Sequence, residues 1–390
     1  MKQTNFVSNM LLPLEVYLQQ NYEFRFNVLS GKMEFRPRRE DTVFTHLDKK
    51  MMNGILMCVL RDLPDEKNVK DVIKTIIYSP STPDYNPVQG WLDALPEWDG
   101  RNRVSHLFEM IPGITAEQVY WSTVWLRSAV AHWRQMDTLY GNECVPTLIG
   151  EQGCGKSTFC KRLLPAHLRE YYLDHVNLRN KHDKEMALTN NLLVNIDEMD
   201  QITHRQQPEL KQMLSKSQVN GRMIYGREQS DRLRYASFIA TTNNPHPLHD
   251  STGSRRFICI AVAKGQLIDT TSEIDYEQLY AQVLVELKRG ERYWFTAEET
   301  VSIQRANVPF QNTVDVEVML DACFRKPDDD EYVKPLTLRE ISDTMQSQYP
   351  NLVVDQGLKV KLGQILTKRG YVRHEHRLCN VYEVMPLTAA

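Results

Sequence analysis

The chain has 390 residues, of which 42% are hydrophobic and 25% charged, as in ordinary soluble globular proteins. Its net charge of −3 excludes a general attraction to nucleic acid, so such contacts would depend on local basic patches. The seven cysteines are scattered without a C-x-x-C pair, which argues against a disulfide framework or zinc ribbon and favours a reducing cytoplasm. The N-terminus lacks a signal-peptide core, and no apolar run is long enough to cross a membrane.

The distribution of strand, helix and linker patterns predicts three regions. They span residues 1–98, 99–325 and 332–390, and the acidic run Pro327–Glu331 is the predicted hinge before the last region. We expect an α/β protein whose middle region is an AAA+-like P-loop NTPase core with a parallel sheet. An α+β region precedes this core, and a small winged-helix-like domain follows it.

The first region begins with a predicted β-hairpin. Residues 22–28 and 32–36 alternate in character about the turn Leu29-Ser-Gly31. Helices are predicted near 43–62 and 65–78, and the Pro- and Ser-rich residues 79–87 are predicted to be a linker. No zinc-binding cysteine cluster or acid triad stands out here, so a separate protein is expected to supply priming if priming occurs.

A strand, a glycine-rich turn and a helix are predicted between residues 146 and 164, after an apolar helix over 119–133. The turn matches G-x-x-x-x-G-K-[ST], the loop that wraps the phosphates of ATP or GTP. Glycines let backbone N–H groups approach phosphate oxygens, Lys156 is predicted to reach the β- and γ-phosphates, and Ser157 to hold Mg²⁺. The predicted nucleotide-binding residues are Gly150, Glu151, Gln152, Gly153, Cys154, Gly155, Lys156, Ser157 and Thr158.

The next motif is an apolar strand, residues 192–196, that ends in Asp197 and Glu198. Such a run is typical of a parallel strand buried on both faces. Asp197 is predicted to hold Mg²⁺ through water, and Glu198 to polarise the attacking water. The alternative interpretation is an acidic pair at the start of a surface loop.

Two further polar positions follow predicted strands in the same region. The strand Ser237–Thr242 leads to Asn243, which is predicted to hydrogen-bond the lytic water, as sensor 1 does in an AAA+-type ATPase; alone, Asn-Asn-Pro is a common turn. Arg255 and Arg256 precede the strand 258–262, and one of them is predicted to reach the γ-phosphate of a neighbouring subunit. The alternative is a structural salt bridge, and the sequence does not choose between the two arginines.

Between the acidic strand and Asn243, a short helix (208–214) and two strands (221–227 and 232–235) are predicted. The tip of this second hairpin is placed at Glu228-Gln-Ser-Asp231, with a net charge of −2. The basic residues Arg227, Arg232 and Arg234 lie on its shoulders, where they are predicted to contact nucleic-acid phosphates or to bridge subunits.

The order of these motifs resembles the virulence-associated E family, the superfamily 3 helicase-like P-loop ATPases of phages and other mobile elements. The resemblance covers about residues 20–262 and also rests on Lys211, Arg222, Tyr225, Asn86-Pro87, Trp91-Leu92 and Trp98-Asp-Gly-Arg101. It implies a ring, usually hexameric, that hydrolyses ATP at subunit interfaces and moves single-stranded or forked DNA in replication initiation. Hairpins of superfamily 3 helicases carry basic residues at the tip, so the acidic tip departs from that pattern.

The C-terminal region predicts a helix opening with the capping box Thr337-Leu-Arg-Glu340, a second helix over 356–368, and a terminal hairpin over 371–384. This order suggests a winged helix, whose second helix and wing meet duplex DNA. A solvated basic face is the alternative. The nucleic-acid candidates are Lys359, Lys361, Lys368, Arg369 and Arg373.

The motifs together predict an ATP- and Mg²⁺-dependent, helicase-like ATPase of a mobile element. The alternative is an ATP-dependent, DNA-bound switch or interference factor without unwinding activity, which the acidic hairpin tip favours. A small-molecule kinase is less consistent with Asp197, Glu198 and Asn243, because a kinase needs a substrate pocket rather than a second acid for water.

Overall fold

The computed structural model describes residues 4–39, 42–66, 68–137, 141–178, 180–199, 202, 206–222, 229–248, 254–311, 316–328, 331–349, 352–375 and 379–387. It divides the chain into two compact units, Met1–Phe310 and Gln311–Ala390. Across these ranges, no helix is long and apolar enough to span a bilayer.

The helices of the first unit are α1 (Thr4–Asn21), α2 (Lys49–Asp62), α3 (Val69–Ile77), α4 (Pro87–Asp93), α5 (Arg103–Glu109), α6 (Ala116–Trp133), α7 (Lys156–Arg162), α8 (Lys181–Asn190), α9 (Gln207–Ser215), α10 (Tyr276–Lys288) and α11 (Ala297–Ala306). Its strands are β1 (Tyr22–Asn27), β2 (Lys32–Pro37), β3 (Thr45–His46), β4 (Asp84–Tyr85), β5 (Val145–Ile149), β6 (Tyr172–Leu173), β7 (Leu193–Ile196), β8 (Gln218–Arg222), β9 (Gln229–Leu233), β10 (Ser237–Thr242) and β11 (Phe257–Ala261).

The second unit contains α12 (Val316–Cys323), β12 (Phe324–Arg325), β13 (Leu336–Thr337), α13 (Leu338–Gln348), α14 (Gln356–Lys368), β14 (Arg373–Glu375), β15 (Asn380–Tyr382) and β16 (Met385–Pro386).

The predicted N-terminal hairpin is confirmed, since β1 and β2 pair antiparallel within a sheet of order β3-β2-β1-β4. Its turn packs into the main core, where Leu29 is fully buried. The predicted linker 79–87 is wrong in part, because it contains β4, which pairs parallel with β1. Asn86 caps α4 and Pro87 occupies its first turn, so this proline marks a helix start rather than a linker.

The main sheet of the first unit is entirely parallel, with the order β11-β5-β10-β7-β6. This confirms the predicted parallel sheet. Separate hydrophobic clusters cover its two faces, which explains the near-continuous apolar character of these strands. Because β10 lies between β5 and β7, the loops after these three strands meet at one edge of the sheet.

The second hairpin differs from the prediction in its register. β8 and β9 pair antiparallel from Gln218↔Leu233 to Arg222↔Gln229. The predicted tip is therefore wrong, because Asp231 lies within β9 opposite Asn220, and their side chains hydrogen-bond. Asp has low strand propensity, and pairing with β8 holds Asp231 in the strand against that preference. Arg227 and Tyr225 lie outside the described residues.

In the second unit, α12, α13 and α14 share one hydrophobic cluster. β13, β15 and β14 form an antiparallel sheet in that order, and the predicted capping box at Thr337 and Glu340 is confirmed. The predicted helix over 356–368 and the hairpin are also confirmed. The division between units falls before residue 311 rather than near 325, since α12 packs with α13 and α14, and β12 pairs with β16.

Candidate functional site

The glycine-rich turn joins β5 to α7 at the carboxyl edge of the parallel sheet. A Cβ atom on Gly150 would lie 3.0 Å from Val262 Cβ and 3.1 Å from Cys154 Sγ, so a larger residue would crowd the turn. Gly153 and Gly155 have φ angles of 82° and 95°, a region that side chains disfavour. The turn therefore depends on glycine for both its space and its backbone shape.

Lys156 is buried, and its ammonium group is held by three oxygen acceptors. Its Nζ atom donates to the carbonyl oxygens of Gly150 and Glu151 and to Asn243 Oδ1, each at 2.8 Å. An ammonium group has three N–H donors, and these contacts use all three. Lysine is only a donor, so the side-chain atom of Asn243 that contacts Lys156 must be the amide oxygen, Oδ1. The amide nitrogen of Asn243, Nδ2, therefore remains as a donor, and the residue is exposed.

The acidic pair follows β7, two strands from β5. Asp197 is half-buried and its Oδ1 accepts a hydrogen bond from the Thr241 hydroxyl on β10. Glu198 is exposed and has a φ angle of 49°, a left-handed conformation that costs about 1–2 kcal/mol for a non-glycine residue. Asp197 and Glu198 both follow the last residue of β7, at the carboxyl edge of the sheet.

The structure therefore gathers predicted residues from three separate segments. Lys156 and Asn243 are in direct contact, and Asp197 accepts a hydrogen bond from Thr241 in β10, the strand that ends just before Asn243. Ser157 and Thr158 occupy the first turn of α7 with exposed side chains. Carboxylate, hydroxyl and carbonyl oxygens are ligands that suit Mg²⁺. Within the described ranges, no group of three or more His, Cys, Asp and Glu side chains forms a metal cage of its own.

Sequence reasoning overlooked a polar row beside Asp197. Asp174 follows β6, and its Oδ1 accepts from Asn195 Nδ2 on β7 at 3.3 Å and from the Tyr172 hydroxyl at 3.2 Å. The strand before Asp174, β6, has only two residues and therefore shows no alternating pattern, so the sequence did not indicate that Asp174 follows a strand. The polar residue Asn195 inside an apolar strand was the available signal, because it is fully buried.

Cys160 lies beneath the same edge and is fully buried. Burial raises the pKa of its thiol well above the usual range, and the charges of Asp174 and Asp197 raise it further. Cys160 therefore stays a neutral thiol and serves in packing rather than as a nucleophile.

The two predicted arginines have different surroundings. Arg256 Nε lies 3.2 Å from Glu143 Oε2, and its Nη2 donates to Ser215 Oγ at 3.2 Å. Arg255 is exposed, and among the residues the structure describes it has no ion pair. Of the two arginines, Arg256 is therefore the one that forms a salt bridge within the described part of the chain.

Arg234 is not on the surface, contrary to the prediction. Its guanidinium donates to the carbonyl oxygens of Ala236, Leu214, Lys216 and Asn142, and its side chain is fully buried. Burial lowers the pKa of this guanidinium to about 9. Arg234 joins β9 to the loops around it, and its buried guanidinium is not accessible to nucleic acid.

We expect replacement of Arg234 by alanine to destabilise the first unit by about 3 kcal/mol or more. The change leaves four buried carbonyl oxygens without a donor, and each unsatisfied group costs about 1–3 kcal/mol before relaxation. The midpoint of thermal unfolding should fall by roughly 5–10 °C. Differential scanning calorimetry measures this shift, and the exposed Arg255→Ala variant is the matched control. An unchanged midpoint for Arg234→Ala would contradict the buried role.

The other basic residues predicted to contact nucleic acid differ in their exposure and in their ion pairs. Arg232 is largely covered, with Nη1 donating to Thr189 Oγ1 at 3.1 Å and Nη2 lying 3.7 Å from Glu185 Oε2. In the second unit, Arg369 pairs with Glu317 at 2.8 Å and with Asp321, and Arg373 pairs with Glu375. Lys359 is half-buried, whereas Lys361 and Lys368 are exposed.

The fold and the site define a mixed α/β protein with a phosphate-loop turn at the carboxyl edge of a parallel sheet. The model of the virulence-associated protein E-like domain matches residues 92–312, more than half of the chain. The chain therefore belongs to the virulence-associated protein E-like family, as its motifs suggested. Comparison with curated proteins gave no match.

Two solved structures resemble the chain over most of its length. The apo C-terminal region (305–718) of NrS-1 is 12% identical with a TM-score of 0.46, covering 97% of this chain and 99% of that one. The SCCmec type IV protein Cch, described as an active helicase, is 10% identical with a TM-score of 0.38, covering 94% and 92%. At these TM-scores, neither likeness bears on function.

Proposed function

We propose that this protein is a helicase-like ATPase of a mobile element, with an AAA+-like core that binds Mg²⁺-ATP and hydrolyses it. One observation carries the proposal. The 2.8 Å hydrogen bond between Lys156 Nζ and Asn243 Oδ1 joins the phosphate loop to a strand that also contacts Asp197. A glycine-rich turn in an ordinary loop would not need a lysine, an amide and a carboxylate at one sheet edge.

The residues of the site fit a bound nucleotide triphosphate. The backbone N–H groups of Gly150–Thr158 would face the phosphates, since the glycines leave space for close approach. Lys156 would exchange one of its carbonyl contacts for phosphate oxygens, and the Ser157 hydroxyl and Asp197 would hold Mg²⁺. When bound, Mg²⁺ neutralises phosphate charge and thereby favours attack by water.

Three further residues, Glu198, Asn243 and Thr241, have separate roles in the proposed hydrolysis. Glu198 accepts a proton from the attacking water, because it is the exposed carboxylate directly after Asp197. The Nδ2 group of Asn243 orients that water or a phosphate oxygen, while Lys156 fixes the amide through Oδ1. Thr241 orients Asp197 through the hydroxyl hydrogen bond to Oδ1.

We further propose that the site is completed by a neighbouring subunit in a ring, with six subunits as the expected number. Arg255 is the residue assigned to cross the interface, because it is exposed while Arg256 is engaged with Glu143 and Ser215 in its own chain. An arginine supplied in this way stabilises the charge that develops on the transferred phosphoryl group.

We expect Arg255→Ala to lower the rate of ATP hydrolysis by about 10³-fold with little effect on the unfolding midpoint, since arginine fingers contribute about 10³–10⁵. Arg256→Ala should instead lower the unfolding midpoint, because its ion pair and hydrogen bond are lost. Phosphate-release assays and thermal scans on the two variants measure both effects. Parental hydrolysis by Arg255→Ala would contradict this assignment.

The proposed substrate of the motor is single-stranded or forked DNA during replication initiation, with priming supplied by a separate protein where it is needed.

The second unit is proposed to be a winged helix, because α13 and α14 are followed by the β14–β15 hairpin and β13 completes its sheet. The alternative function, a DNA-bound switch without unwinding, is favoured in the sequence by an acidic hairpin tip. The register of β8 and β9 weakens this argument, because Asp231 lies within β9 and not at the tip.

A further inference from the structure

Asp174 is an exposed carboxylate whose orientation is fixed by its neighbours. It directly follows β6, and its Oδ1 atom accepts hydrogen bonds from Asn195 Nδ2 at 3.3 Å and from the Tyr172 hydroxyl at 3.2 Å. Two donors on one oxygen restrict the rotation of the carboxylate. Its second oxygen, Oδ2, has no partner in the described part of the chain. Asp174 is therefore held in place while Oδ2 stays available to a ligand.

Asn195 maintains this orientation at a cost in stability. It is fully buried in β7, where every other residue is apolar. A carboxylate only accepts hydrogen bonds, so the amide atom that faces Asp174 is the nitrogen, and Asn195 Oδ1 has no donor among the described residues. An unsatisfied buried acceptor destabilises a fold, whereas an apolar residue of similar size does not. Packing therefore does not account for Asn195, but the orientation of Asp174 does.

Asp174 lies on the face of the sheet that also carries Asp197. The parallel register of β6 and β7 continues to Asp174 opposite Asn195. Side chains two residues apart in a strand lie on one face, so Asn195 shares its face with Asp197 and with Leu193. Leu193 packs with α7 in one hydrophobic cluster, so α7 covers this face. Because α7 also carries Ser157 in its first turn, Ser157, Asp197 and Asp174 lie on the same side of the sheet.

The charges of the two aspartates act on the same part of α7. Burial raises the pKa of the Cys160 thiol in α7, and the charges of Asp174 and Asp197 raise it further. Two neighbouring carboxylates repel each other, and a divalent cation close to both offsets that repulsion. The two aspartates therefore form a suitable environment for one cation beside the first turn of α7.

We propose that Asp174 holds the Mg²⁺ of a bound nucleotide through water, as a second acid beside Asp197. This inference rests on the proposed function and deepens it, because only Ser157 and Asp197 are assigned to the metal there. Mg²⁺ keeps several water ligands in proteins, and a carboxylate that accepts hydrogen bonds from these waters orients them. Across the described ranges the acidic side chains form no cage that binds a metal directly, which agrees with a contact through water. Asn195 is the positioning residue of this arrangement.

The first test measures binding of a fluorescent, non-hydrolysable ATP analogue by the full chain, in EDTA and in a titration with Mg²⁺. We expect Asp174→Asn to need about 10-fold more Mg²⁺ for the half-maximal effect, since the loss of a group that orients metal ligands costs about 10–100-fold in affinity. In EDTA its affinity should equal or exceed that of the parent, because a negative charge near the phosphates is removed. The matched control, Asp71→Asn, changes an exposed aspartate in α3 and should behave like the parent in both conditions.

A parental Mg²⁺ requirement in Asp174→Asn would overturn the proposal. An equal loss of affinity with and without Mg²⁺ would overturn it as well, because that is the result of a purely structural role. The proposed function fails in a different way. A parent protein that bound no analogue, or bound it equally well in EDTA and in Mg²⁺, would overturn the ATPase site itself and this inference with it.

The second test separates the positioning role of Asn195 from its effect on stability. Asn195→Leu removes the amide that orients Asp174 together with the unsatisfied acceptor. We expect the Mg²⁺ requirement to rise, by a smaller factor than in Asp174→Asn, while the midpoint of thermal unfolding stays at or above the parental value. The double variant should need no more Mg²⁺ than Asp174→Asn, because both changes act through one carboxylate. A parental Mg²⁺ requirement in Asn195→Leu, or a further rise in the double variant, would overturn the positioning role.

Discussion

Replacement of Lys156 by alanine is expected to lower ATP hydrolysis by about 10³-fold or more. The change removes the only cation that touches the loop carbonyls and Asn243 in the described part of the chain. A single preorganised donor at the reacting centre contributes about 10²–10³, and here a full charge is lost with it. Initial rates of phosphate release under saturating Mg²⁺-ATP measure the effect.

The matched control for this variant is Lys161→Ala. Lys161 lies in the same helix but is exposed on its surface. It should hydrolyse ATP at the parental rate and unfold at the parental temperature. Undiminished hydrolysis by Lys156→Ala would show that the phosphate loop is not the site of the reaction.

Replacement of Glu198 by glutamine is expected to separate binding from hydrolysis. The amide keeps the size of the side chain but accepts no proton, so hydrolysis should slow by about 10²–10⁴-fold. Nucleotide affinity should change little, because the phosphates are held by the loop and Lys156. Equilibrium binding of a fluorescent ATP analogue, together with single-turnover hydrolysis, measures both quantities.

Glu170→Gln is the control for this second variant, since Glu170 is an exposed glutamate in the short 3₁₀-helix Ala166–Tyr171. It should match the parent in both assays. If Glu198→Gln turned ATP over at the parental rate, the general base would be a different group. The nearby carboxylate Asp174, which sequence reasoning overlooked, would be the next to replace.

The sequence predicts which segments end at the carboxyl edge of the parallel sheet, because the signals for them are local. The phosphate loop is a contiguous pattern, and buried strands that end in polar residues mark the carboxyl edge of a parallel sheet. Strand order is not local, yet it is what brings Asn243 to Lys156 across 87 positions of chain. The sequence predicts only that each residue lies near the γ-phosphate, and the order β5-β10-β7 is the physical reason that they meet.

The failures have physical reasons too. The hairpin tip is misplaced in the sequence because the pairing of β9 with β8, which is not a local signal, holds Asp231 in the strand despite its low strand propensity. Charge alone suggested that Arg234 was exposed, although four surrounding carbonyl oxygens satisfy its guanidinium in the core. The choice between Arg255 and Arg256 depended on Glu143 and Ser215, which are distant in sequence.

The most direct test of the central claim mixes two inactive proteins. Lys156→Ala lacks a working phosphate loop but keeps Arg255, whereas Arg255→Ala keeps the loop and lacks the arginine. If subunits complete each other's sites, an equal mixture should regain roughly a quarter of parental ATP hydrolysis, since about one interface in four combines both intact halves. A mixture as inactive as its components, at every protein concentration, would contradict a site shared between subunits.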